Sequence, residues 1–234
     1  VLRKWLALVA LGSVLFVGVA MAVSALTAHP AVRPIRQPGP LVLVGMPALA
    51  WKDVSPTRTP ALWGLAERGA VADQATMVLG GHSCPNQSWL TLSAGTPTVT
   101  GHPPRPGTEP TRPTTTHART CAGPLAPQPG LDSTAVFGQW ETWRRYGHTR
   151  GAPVDIGRIA SAMAASGQCI AAYGDPAGLA AANRLGIVDH YSAGVDRVNL
   201  RACPVTFISL PGPDDRYLAH LLHRLPADAT IVVS

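Results

Sequence analysis

Residues 80 to 95 read GGHSCPNQSWLTLSAG and set a hydroxyl beside a thiol, Ser83 and Cys84, just before a proline suited to open a helix. A helix N-terminus offers unpaired N–H groups and a positive partial charge, which suit a phosphate or sulfate oxygen. A serine hydroxyl there can attack such a group once a base or a metal lowers its pKa. The same serine can instead cap the helix amides and do no chemistry, and the local sequence by itself favours capping. His82 and Asn86 flank the pair and are the side chains placed to meet a bound anion. No Asp or Glu lies near His82 in sequence to orient it as a base, so it reads as a loop histidine.

The thiol points elsewhere. The chain has four cysteines, Cys84, Cys121, Cys169 and Cys203, with no CxxC pair and no histidine at zinc-ligand spacing. An even count in an exported chain reads as two disulfides, which leaves Cys84 without a nucleophilic role. Four cysteines allow three connectivities. Cys84 and Cys121 bracket a Pro/Thr-rich stretch, and Cys169 and Cys203 each begin an apolar run, so Cys84–Cys121 and Cys169–Cys203 are the expected pairs.

Export is expected from the first residues. Arg3 and Lys4 precede an apolar run with no charged residue before His29. About 20 apolar residues suffice to cross a bilayer as a helix, and the basic flank keeps its own side in the cytoplasm. Residues 5–27 are thus the expected membrane contact, within an anchor or signal segment at 1–28. Small residues at Ala20-Met21-Ala22 and Val23-Ser24-Ala25 fit signal cleavage and secretion, whereas the length of the run favours an uncleaved anchor. Residues 29–40 form a proline-rich linker, and 41–234 an extracytoplasmic domain. The 234 residues carry a formal charge of +6 with only 14% charged side chains. The arginines are scattered with no dense basic run, so no nucleic-acid partner is expected.

Apolar runs alternate with capped helical patterns along the domain. LVLVGM (41–46) reads as a strand buried on both faces. Thr59-Pro60 opens a helix that ends at Gly69, 70–78 reads as a strand, and a helix runs from Pro85 or Asn86 to about Ala94. Residues 96–135 form a long surface excursion. Helices follow at 155–167, at 175–186 with Asp175 as N-cap, and at 214–225; strands follow at 168–174, 203–210 and 229–234. This alternation predicts an α/β fold, a mainly parallel sheet flanked by helices. In such sheets ligands bind at the carboxyl ends of the strands, where the Ser83 segment belongs. The last apolar strand has no turn or cap after it, as expected of an incomplete domain.

Three segments, LVLVGMPALAW, TRTPALWGLAERGA and SCPNQSWLTLSAGT, resemble the N-terminal half of the alkaline phosphatase superfamily. The resemblance spans 41 to about 101 and looks closest to the type I phosphodiesterase/nucleotide pyrophosphatase branch. Cys84 to Gly95 is also similar to a "CPxxxWLTLSAG" segment of actinobacterial membrane-anchored proteins in this superfamily. The resemblance puts Ser83 in the nucleophile's place and implies a pair of zinc ions that activate it and hold a phosphate group. It also implies a metal-binding aspartate after the first strand. Here Pro47 stands nearest that place, and Asp53 is the only carboxylate close by as a substitute ligand. The family's later Asp-His ligands would follow a segment like ATIVVS, where this sequence stops.

Three functions fit. The first is a membrane-anchored binding or scaffold module of the cell envelope with impaired catalysis. The second is an active zinc-dependent phosphodiesterase or phosphatase using Ser83. The third is the soluble part of a multi-span envelope or transport protein.

Overall fold

The structure, a computed structural model, describes residues 39–72, 84–98, 121, 123–149 and 154–234. The expected membrane segment, His82, Ser83, most of the 70–78 strand and much of the excursion lie outside the described residues. By its contacts the chain divides into two units, residues 1–36 and 37–234, and the described residues all belong to the second. No helix among the described residues is long and apolar enough to cross a membrane.

A five-stranded sheet organises the domain. In chain order its strands are β1 (Leu41–Gly45), β4 (Ile170–Tyr173), β6 (His190–Ser192), β7 (Val205–Ser209) and β8 (Thr230–Val233). In space they run β6-β4-β7-β1-β8, and every pairing is parallel. A small antiparallel sheet of β2 (Gln128–Pro129), β3 (Ala135–Val136) and β5 (Ile187–Val188) packs beside it, and the Tyr191 amide of β6 donates to the Ser133 carbonyl at 2.7 Å. Helices α1 (Pro60–Arg68), α2 (Pro85–Ala94), α3 (Trp140–Thr149), α4 (Arg158–Ala165), α5 (Ala177–Ala181) and α6 (Asp215–Arg224) complete the architecture.

The sheet is covered on both faces, which is why its strands read as apolar runs. Val42 and Val44 of β1 point to one face and pack with Leu62 of α1 and Leu218 and Leu221 of α6. Leu43 points to the other, toward Trp89 and Leu90 of α2, Ala160 of α4 and Leu179 of α5. Phe207 meets the Trp89 ring at 5.7 Å between centroids. Gly45 ends β1 where a β-carbon would stand 2.6 Å from that indole, so the strand has room for the ring only because the residue is glycine.

The α/β class with a mainly parallel sheet agrees with the sequence, and so do most major boundaries. Thr59 and Pro60 open α1, and Gly95 closes α2 with φ 68°. Several differences are instructive. The 96–135 stretch contains β2 and enters β3 at its end, so its later part belongs to the fold. Residues 140–149, assigned no element from sequence, form α3, with Trp140, Trp143 and Phe137 packed ring to ring. The helix expected from Asp155 begins at Arg158, because Gly157 at φ 85° is its N-cap and breaks the helical path before it. The helix expected over 175–186 stops at Ala181. Asn183 then folds the chain back by accepting from the amides of Leu185 and Ile187.

Candidate functional site

The parallel strands β1, β4 and β7 end side by side, and the residues that follow them form the wall of one cavity of about 500 Å³. Pro47 comes from the end of β1, Gly174 and Asp175 from the end of β4, and Leu210 and Pro211 from the end of β7. Pro85 and Asn86 bring in the start of α2, and the 193–196 loop closes the far side with Asp196. This is the carboxyl edge, where backbone groups and loops of a parallel sheet converge on a ligand.

Local chain geometry fixes each of these residues. Met46 accepts from the amide of Leu49 at 3.1 Å, and Ala48 holds φ 65°. Proline followed by a residue of positive φ is the signature of a tight turn, so Pro47 is set in the wall by a turn that strains Ala48. Gly174 has φ 83°, and a β-carbon there would stand 2.3 Å from the Ser209 carbonyl oxygen. Only glycine brings the end of β4 this close to β7, and the turn it allows presents Asp175.

Asp175 does not cap α5, as its sequence position suggested. Its Oδ1 accepts the Tyr191 hydroxyl at 2.5 Å. Burial, with the hydrogen bond and charge of Asp175 added, holds the Tyr191 hydroxyl well above the usual tyrosine range, so it remains a donor. The opposite carboxylate, Asp196, is exposed on a loop anchored by the Tyr217 hydroxyl, which donates to the Val195 carbonyl at 3.0 Å. Burial pushes Tyr217 up to about 12; Arg224 opposes the shift and Asp196 adds to it.

Among the described residues of the wall there are two carboxylates and no lysine, arginine or histidine. Such a surface receives hydrogen-bond donors or positive charge more readily than a bare anion.

The residues singled out from sequence are distributed unevenly. Asn86 lines the cavity but is 3% exposed, and its amide holds another segment. Nδ2 donates to the Gly123 carbonyl at 2.8 Å, and Oδ1 accepts from the Leu125 amide at 3.0 Å. Beside it Cys84 is bonded to Cys121, so disulfide and amide together hold Cys121, Gly123 and Leu125 to the start of α2. The Cys169–Cys203 bond is also present, and both pairs are those the sequence led us to expect. Asp53 is turned to local use: it accepts from the Ala50 amide at 3.0 Å and is not part of the cavity wall. Pro47 is in the wall. His82 and Ser83 fall outside the described residues, immediately before Cys84.

Asp175 and Asp196 were missed. Asp175 follows directly on a buried strand, and the rule that ligands gather at the carboxyl edge would have nominated it. Asp196 has no such signal, since it comes from a loop outside the parallel strands. Among known proteins, the chain matches no protein-family model, no curated protein and no solved structure.

Proposed function

We propose that the domain is a binding or scaffold module of the cell envelope, membrane-anchored and extracytoplasmic, on an alkaline-phosphatase-like frame with impaired hydrolytic chemistry. The observation that carries this reading is Pro47 in the cavity wall just past the end of β1. The resemblance calls for a metal-binding aspartate there, and a proline side chain offers a metal no donor atom. A serine hydroxyl without a metal or base to lower its pKa is a weak nucleophile. The two disulfides favour an oxidising compartment, in keeping with a domain outside the cytoplasm.

What remains is a recess suited to binding. Pro47, Pro85, Pro176, Pro211 and Leu210 give it apolar sides, while Asp175 and Asp196 give it two acceptors. Both carboxylates repel a bare phosphate ester, so the preferred ligand presents donors or positive charge to them. The test uses the full chain with its disulfides intact. Bound zinc is measured, together with turnover of nitrophenyl phosphate and a nitrophenyl phosphodiester. The expected result is no zinc-dependent turnover, and zinc-dependent hydrolysis of either ester contradicts the reading.

A further inference from the structure

A second cluster lies at the opposite, amino edge of the sheet. β6, β4 and β7 are consecutive neighbours, and all three start at that edge. Cys169 immediately precedes β4, Cys203 comes just before β7, and His190 is the first residue of β6. The register places His190 beside Ala171 and Ile170 beside Val205, so three separated stretches of sequence deliver their side chains to one point. The ligand atoms of Cys169, His190 and Cys203 all lie within 4.8 Å of one another. Cys203 is buried, while Cys169 and His190 are half-buried and leave one side open.

We infer that these three residues form a redox-gated zinc site, closed as the Cys169–Cys203 disulfide and opened by reduction. Two thiolates and an imidazole are the soft and borderline donors that zinc prefers, and three protein ligands leave a fourth position for water. The disulfide has no thiolate and does not hold the metal. A dithiol reductant attacks the bridge from the open side, at Cys169. Its two thiols are oxidised to a disulfide while Cys169 and Cys203 each gain a hydrogen as free thiols. Zinc then binds both sulfurs as each thiol releases its proton to solvent, and His190 donates the lone pair of a neutral ring nitrogen. The cluster shares no residue with the carboxyl-edge cavity, so the site does not depend on how that cavity functions.

The test is a cobalt titration of the full chain, oxidised and after reduction by a phosphine that is then removed. It is run on the wild type, on Cys84→Ser/Cys121→Ser, which confines reduction to the second bridge, and on His190→Ala. Reduced wild type should bind about one equivalent, with a thiolate-to-cobalt charge-transfer band and the visible bands of a tetrahedral ion. His190→Ala should weaken binding more than about tenfold, and zinc should raise the Tm of the reduced chain while leaving the oxidised chain unchanged. Binding that is equal in the oxidised chain, absent in the reduced chain, or unaffected by His190→Ala overturns the inference. The last outcome also covers a chain that unfolds on reduction, whose cysteines would take metal without help from His190.

Discussion

The Tyr191 hydroxyl donates to Oδ1 of Asp175 at 2.5 Å, tying an outer strand of the sheet to the wall of the carboxyl-edge cavity. A hydrogen bond to a charged acceptor contributes about 1.5–3 kcal/mol. Tyr191→Phe keeps the ring and removes the donor, so it should destabilise the domain by about that amount in urea unfolding. A loss under about 0.5 kcal/mol would mean that water replaces the hydroxyl without cost.

Alkaline pH tests the same packing. Tyr191 and Tyr217 both have folded-state pKa values above the ordinary tyrosine value of about 10, Tyr217 at about 12. The folded chain therefore holds these protons after the unfolded chain has lost them. Their contribution to stability is complete below about pH 10 and declines as pH rises from there through the folded values. Tyrosinate absorbance should show Tyr191 and Tyr217 titrating late, together with a falling urea midpoint over that range. Ionisation of both near pH 10 would contradict this.

Asp215 links the two helices on one face of the sheet. It sits in the first turn of α6, yet its carboxylate accepts the Ala61 and Leu62 amides of α1 at 3.1 and 2.9 Å. Its neighbour Asp214 caps α6 itself by accepting from the Tyr217 amide. Asp215→Ala should cost about 1–2 kcal/mol by uncapping α1, and Asp214→Ala about 1 kcal/mol by uncapping α6. Hydrogen exchange separates them: the first should loosen α1 and the second α6. Identical patterns would remove the assignment.

Gly174→Ala should be among the most damaging single changes in the domain. The added carbon meets a backbone oxygen that cannot move aside, at a φ that L-residues avoid. We expect a loss of at least about 2 kcal/mol in denaturant unfolding. A neutral result would mean that the turn before Asp175 can take another shape.

The sequence made β1, β4 and β7 legible because these inner strands are covered on both sides and read as apolar runs. Pro60 at the first helical position announced α1, although its first amides are capped by Asp215 of α6 and not by the Thr59 side chain. α3 escaped because WETWRRYGHT combines weak helix formers, and its helix depends on Trp140 and Trp143 packing against Phe137. β5 and β6, two and three residues long, have too little pattern to read. For the candidate site, Pro85 marked the start of α2, and Pro47 was singled out only by the resemblance. The role of Asp175 was obscured by a helix signal that Tyr191 overrides. His190 was hidden from the cysteines because only strand order unites them.

The most direct test of the impaired-site account compares the wild type with Ser83→Ala, both as full chains with intact disulfides and saturating zinc. Initial rates on a nitrophenyl phosphodiester are the readout. Without an effective metal ligand at Pro47, the two rates should be equal and no higher than the protein-free background. A wild-type rate more than about tenfold above that of Ser83→Ala would show a metal-activated nucleophile and contradict the account.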